Sequence, residues 1–235
     1  MPRVVIRPGS IRDLDELADW HYRAHRPASI VRVLTARLLE PRHEGAMLGV
    51  LAVSMPVLNG RWRALAWPGR YSTGDRRADA RRLNRELRTI SRVIVDPRAR
   101  GLGIATILVR AYLAHPLTPA TEAISAMGSH TAFFERAGMT SYRLEPTPSQ
   151  QRFLDFLDAI GTTPARVIQD LSACRRLAQR RDVRREIQEL SRRRARRWID
   201  ASLCGTDQLR AACASVSGEM TAFAHVRGSH ARQDG

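Results

Sequence analysis

Residues 93–105 read Val93-Ile94-Val95-Asp96-Pro97-Arg98-Ala99-Arg100-Gly101-Leu102-Gly103-Ile104-Ala105. An apolar strand-like run stops at a proline, a basic glycine turn follows, and an amphipathic stretch over 104–113 begins a helix. The order has a chemical meaning. The first N–H groups of a helix lack intrahelical acceptors and carry partial positive charge. Glycines at 101 and 103 remove side chains that would keep a phosphate from those groups, and Arg98 and Arg100 add formal charge. The segment predicts a phosphate cradle. Its spacing is neither that of a P-loop, which needs Gly-Lys-Ser/Thr after a longer gap, nor that of the dinucleotide fingerprint, which needs a third glycine.

Upstream, residues 4–7 alternate briefly and end at Pro8-Gly9. Ser10 then stands as an N-cap for a helix over 11–22, where Ile11, Leu14, Leu17, Ala18 and Tyr22 recur at helical spacing. Two runs rich in Val, Leu and Ile, 30–38 and 47–55, read as strands bounded by Pro41 and Pro56. Residues 59–85 carry Pro68-Gly69 and Thr73-Gly74 as breakers and predict a loop with one short helix before a strand over 87–95.

Downstream lie a strand over 122–127, a helix over 130–137 and a strand over 139–144, closed by Glu145-Pro146-Thr147-Pro148. From 150 to 216 the pattern is helical: Phe153, Leu154, Leu157 and Ile160 form one apolar face, and Val167, Leu171, Cys174 and Leu177 another. The expected division is an α+β domain over 1–145, in the order β-α-β-β-β-α-β-α-β, and an arginine-rich helical region over 146–235. Residues 220–226 form one more strand candidate. If that strand returns to the sheet the helices are an insertion; if not, they are a tail.

A chain of 235 residues accommodates one domain or one domain with an appendage. No run approaches the ~18 apolar residues of a membrane span, and the opening Met1-Pro2-Arg3-Val4 has no signal-peptide core, so a cytoplasmic protein without a membrane segment is expected. Cys174, Cys204 and Cys213 are odd in number and lack ligand spacing, which predicts buried thiols and no metal site. The net charge of +16 concentrates in two segments. Residues 59–92 hold ten arginines against Asp75, Asp79 and Glu86, and residues 175–197 hold eleven against Asp182, Glu186 and Glu189. Such segments suit a polyanion, with nucleic acid or the ribosome as the candidate partner. They also suit a solvated helix face laced with its own ion pairs.

The turn Arg98-Ala99-Arg100-Gly101-Leu102-Gly103 resembles motif A of the GNAT superfamily of N-acyltransferases, Arg/Gln-x-x-Gly-x-Gly/Ala. A second match follows in order: Phe133-Phe134-Glu135-Arg136-Ala137-Gly138 is similar to that family's helix-then-strand element. The resemblance covers about the first 145 residues and implies a mixed, mostly antiparallel sheet flanked by helices. It further implies acetyl-CoA as co-substrate. The pantetheine arm would pair with backbone groups of Val93, Ile94 and Val95, between splayed fourth and fifth strands. N–H groups from Arg100 through Gly101, Leu102, Gly103, Ile104 and Ala105 would hold the pyrophosphate, with Arg98 and Arg100 as phosphate cations and Phe134 beside the cofactor. Residues 84–103 are also similar to GNAT domains attached to ABC-type ATPases, which implies such an ATPase as a partner.

Acyl transfer to an amine needs a neutral nucleophile, a donor to the oxyanion and a proton for the leaving thiolate. Many family members place a glutamate on the fourth strand and a tyrosine on the helix after the fifth; this chain has Ser91 and Phe134 there. The catalytic candidates are therefore His130, just after the fifth strand, and Glu86, the nearest carboxylate, with Tyr142 behind them. Glu86 is also placed to be no more than a partner for Arg85 or Arg88. Every one of the 39 basic residues is arginine. A GC-rich genome explains that, as does avoidance of self-acylation. The expected function is acetyl-CoA-dependent N-acetyltransfer to an amine acceptor, small or macromolecular. The alternative is a CoA-binding or regulatory module that docks on nucleic acid through its arginine-rich helix.

Overall fold

The computed structural model describes residues 3–20, 27–39, 45–125, 132–192, 204–218 and 220–227. These divide into two compact units: the chain up to Arg143 together with the chain from Thr221 onward, and Leu144–Met220.

The first unit is built on a sheet of seven strands. They are β1 (Val4–Pro8), β2 (Ile30–Leu38), β3 (Met47–Ser54), β4 (Leu87–Val95), β5 (Ala120–Ser125), β6 (Thr140–Arg143) and β7 (Thr221–Val226). Their order across the sheet is β1-β2-β3-β4-β5-β7-β6, antiparallel throughout except where β4 runs parallel to β5. The sheet is thus mixed and mostly antiparallel, with helices flanking it, as the resemblance implied. The strand at 221–226 lies between β5 and β6. The helical region is accordingly inserted between β6 and β7, and it ends at Met220 rather than running to residue 235.

Local chemistry places the helices. Helix α1 (Ile11–Glu16) starts at Ser10, whose hydroxyl accepts from the Asp13 N–H while Asp13 accepts from the Ser10 N–H at 2.7 Å, a reciprocal cap. It is shorter than the 11–22 expected from periodicity, because the backbone leaves helical angles at Leu17 and continues as a 3-10 turn over Ala18–Trp20. The arginine-rich stretch holds two helical pieces, α2 (Arg63–Ala66) and α3 (Arg76–Glu86), the latter capped by Asp75. Only Leu83 of α3 is buried, so its apolar period was too thin to mark a helix of that length. Helix α4 (Ile104–Ala114) follows the glycine turn, and α5 (Phe133–Arg136) precedes β6.

One face of the sheet packs on α4 through Leu51, Val53, Ile90, Leu108, Tyr112 and Phe223; the other packs on α1 through Leu14, Leu17, Val33, Val50, Ala52 and Ile94.

The second unit contains α6 (Pro148–Ala159), α7 (Pro164–Gln169), α8 (Leu171–Ala178), α9 (Arg181–Arg192) and α10 (Gly205–Ser217). Thr147, Thr163 and Asp170 cap the first three, each accepting from a first-turn N–H. Phe153, Leu157, Val167, Val183, Ile187 and Leu209 form its own core. The unit therefore has the apolar interior a separate folding unit requires. No helix among the described residues is long and apolar enough to cross a membrane.

Candidate functional site

The pairing of β4 with β5 stops halfway. Leu87, Arg88, Thr89 and Ile90 face Ala120, Thr121, Glu122 and Ala123. Beyond Ile90, β4 keeps β3 on one edge and has no strand among the described residues on the other, while β5 goes on to pair with β7. Unpaired strand edge thus extends from Ser91 to Val95, about 13 Å at the usual rise per residue. The Ser91 carbonyl on this stretch already accepts from the Arg92 guanidinium at 2.9 Å. Val93, Ile94 and Val95, expected to pair with a pantetheine arm, lie along this opening.

The opening leads to the turn. Asp96 caps a short 3-10 turn over Pro97–Ala99, and Gly101 (φ 83°) and Gly103 (φ 77°) then take left-handed backbone angles. A Cβ at either glycine would meet nothing within 4 Å, so glycine is required by angle and the space above stays open. Gly103 is also the N-cap of α4, and without a side chain it leaves the first-turn N–H groups of Ile104, Ala105 and Thr106 uncapped. Leu102 is exposed, Ile104 is buried as an anchor of α4 on the sheet, and Ala105 is half-buried.

The two arginines of the turn are not equivalent. Arg98 donates to Asp96 through Nε (3.0 Å) and Nη2 (2.7 Å), so its charge is balanced locally. Hydrogen bonds from the Arg98 side chain and backbone hold the Asp96 carboxyl down at about 2. Arg100 is exposed; its backbone N–H donates to the Pro97 carbonyl at 3.4 Å, while its guanidinium makes no hydrogen bond among the described residues and acts on Asp96 only through its charge. It is the cation left for a ligand.

β4 bulges at Ser91, because Ala52 pairs with Arg92 while its neighbour Val53 pairs with Ile90. The bulge brings Ser91 to the face shared by Val50, Ala52 and Ser54. There the Ser91 and Ser54 hydroxyls are 2.7 Å apart, and Ser91 Oγ donates to the Ala52 carbonyl at 3.2 Å. Thr89, one residue before Ile90, is on the same face and donates to Glu122 Oε1 at 2.7 Å. Glu122 is 1% exposed, and Arg63 grips it with Nε to Oε2 (2.8 Å) and Nη2 to Oε1 (2.7 Å). Gly60 makes room for this grip: a Cβ there would sit 2.6 Å from Arg63 Cζ. The closed end of the opening is therefore floored by a buried, doubly hydrogen-bonded ion pair.

Ser54, Arg63, Thr89 and Glu122 were missed in the sequence. The available signal was a carboxylate inside an apolar strand, which cannot be buried without a cation.

Of the catalytic candidates, His130 lies outside the described residues. Glu86 is the last residue of α3 rather than part of the strand, five residues before Ser91 and so about 17 Å away along an extended chain. Burial pushes its carboxyl up, but Arg70 (3.0 Å) and Arg85 (3.2 Å) outweigh that and hold it below its ordinary range. Such a carboxylate is a counter-ion; a general base works best with a pKa near the working pH. Phe134, expected beside the cofactor, packs in the core, 6% exposed with its ring 4.3 Å from Phe133 and 4.7 Å from Phe223. Tyr142 is half-buried on β6 with its ring 6.5 Å from Trp62. Among the described residues no group of histidine, cysteine and carboxylate side chains could hold a metal.

No family model matches this sequence, and no curated protein does. Among solved structures, the chain is similar to the apo form of a mutant agmatine N-acetyltransferase. The identity is 14% over 68% of this chain and 90% of that one, with a TM-score of 0.37. A likeness of that size leaves the reading of the site to its own geometry.

Proposed function

We propose that this chain is an acetyl-CoA-dependent N-acyltransferase. One observation carries the reading: the β4–β5 seam opens for half its length and leads to an uncapped helix start with two glycines and one unpaired arginine. A strand edge without a partner and a row of free N–H groups are what a pantetheine arm and a pyrophosphate would use. The edge of Val93, Ile94 and Val95 would take the arm. N–H groups of Gly101, Gly103, Ile104 and Ala105, with the Arg100 guanidinium, would take the phosphates. The co-substrate supplies an activated acyl carbon; the residues of the chain position what attacks it. Ser91 is the first residue of the opening. With its own proton on the Ala52 carbonyl and the Ser54 proton directed to it, its oxygen keeps a lone pair that can accept from an amine N–H. Glu122 is committed to Arg63 and holds the floor of the opening in place.

A second reading, a module that holds CoA without turnover, is favoured by one observation: Glu122, the carboxylate at the closed end of the opening, is locked in a buried ion pair. Calorimetric titration with acetyl-CoA and a thiol-release assay across a panel of amines separate the two. Binding is expected, with a loss of about tenfold or more in Gly101→Glu, which adds left-handed backbone strain of roughly 1–2 kcal/mol and a negative charge at the cradle. No binding by the unaltered protein would sink both readings. Binding without thiol release on any amine would leave only the second.

A further inference from the structure

The arginines of α8 and α9 lie on the solvent-exposed side of each helix, opposite the residues that enter the core. These helices are joined by Gln179 and Arg180 and turn Cys174, Ala178, Val183, Ile187 and Leu190 into that unit's core. Arg175, Arg176, Arg180, Arg181, Arg184 and Arg185 are all exposed. If this were a face laced with its own ion pairs, the acids of α9 would sit on these arginines. They do not. Asp182 takes Arg180 alone, with hydrogen bonds of 3.0 and 2.6 Å. Glu186 turns inward, is 7% exposed, and holds Arg152 of α6 at 3.0 Å. Glu189, half-buried, also raises the pKa of Arg152. Arg184 donates to the Ala178 carbonyl and the Gln179 amide oxygen, neutral partners that orient it without cancelling its charge, and Arg176 donates to the Ser172 hydroxyl with the Asp170 carboxylate near enough to feel its charge. The guanidinium groups of Arg175, Arg181 and Arg185 make no hydrogen bond or ion pair among the described residues.

We infer that this α8–α9 face is a nucleic-acid-binding surface that takes the phosphodiester backbone of a duplex. Four guanidinium groups without a carboxylate on them, those of Arg175, Arg181, Arg184 and Arg185, supply forked donors matched to phosphate oxygens. The chemistry of the face argues against other partners. The apolar residues of α9 are in the core and its exposed non-arginine residue is Gln188; α8 exposes one large apolar side chain, Leu171, at its first position. An interface with a protein has an apolar centre, and a membrane-surface helix lays an apolar face into the lipid. The inference does not depend on acyl transfer.

The test is fluorescence anisotropy of a short labelled DNA duplex with the full chain, titrated over a range of salt. Arg175→Ala, Arg181→Ala and Arg185→Ala are combined in one variant, with the three glutamine replacements as a second should alanine disturb the helices. A control removes Arg76, Arg77 and Arg81 of α3, exposed residues carrying the same charge. Each phosphate contact contributes about −0.9 to the log–log salt slope, so the α8–α9 variant should flatten the slope by roughly 2.7 and weaken binding about tenfold or more. The α3 variant should change binding by less than about threefold. No duplex binding at low salt, equal losses in both variants, or displacement by polyglutamate as readily as by unlabelled duplex would each overturn the inference.

Discussion

Replacing Arg63 by methionine removes the cation under the opening while keeping most of the side-chain volume. Glu122 would retain the Thr89 hydroxyl at 2.7 Å and lose both guanidinium bonds, of 2.8 and 2.7 Å, at a site where Arg63 is 3% and Glu122 1% exposed. A buried carboxylate deprived of its partner costs about 3–5 kcal/mol. In a unit of this size that lowers the melting temperature by about 6–20 °C. The intact pair is worth far less than that figure, because both charges had to leave water to form it. Adding Glu122→Gln to Arg63→Met removes the stranded charge and keeps an acceptor for Thr89, so the double variant should regain about 2 kcal/mol or more. Urea unfolding followed by tryptophan fluorescence is the assay, since Trp62 and Trp67 flank Arg63 and are both buried. A cost below about 1 kcal/mol for Arg63→Met, or a double variant no better than the single, would refute the reasoning.

Two further outcomes bear on the site and on the helical unit. Ser91→Ala should lower kcat for amine acetylation by about tenfold and leave acetyl-CoA affinity unchanged, since Ser91 is assigned to the amine; equal losses in kcat and in acetyl-CoA affinity would place it with the co-substrate instead. Burial pushes the Cys213 thiol up to about 12 and raises that of Cys174, while Cys204 is exposed. A colorimetric thiol reagent at pH 8 should therefore modify one cysteine quickly and two more only on unfolding; three fast thiols would contradict the core of the helical unit.

The strands at 30–38 and 87–95 are legible because β-branched residues recur along them, and their observed bounds match the pattern. The glycine turn is legible because its chemistry is local: left-handed angles and an uncapped helix start need only neighbouring residues. Pairing is not local. That β4 leaves β5 after Ile90 depends on how two strands about 30 residues apart diverge, and Val93 to Val95 look the same in a closed sheet. Arg98 reads as a phosphate cation until the 3-10 turn brings it back onto Asp96. Glu122 reads as a strand residue because its partner, Arg63, comes 59 positions earlier in a stretch without clear periodicity. The strand at 221–226 is too short for its alternation to say which neighbours it pairs with.

The position of β7 sets the order in which this chain can be completed as it leaves the ribosome. β5 and β6 are both made before the helical insertion, yet among the described strands only β7, made after it, joins them. While the insertion is being synthesised, β5 presents a bare edge and β6 has no sheet to sit in. An unpaired edge of that kind is a template for pairing with another chain. The insertion has its own core, and the Leu144 N–H meets the Met220 carbonyl at 2.9 Å where its two ends come together. Its early folding therefore shortens the loop that β7 must close, and makes the six residues of β7 the step that seals the sheet.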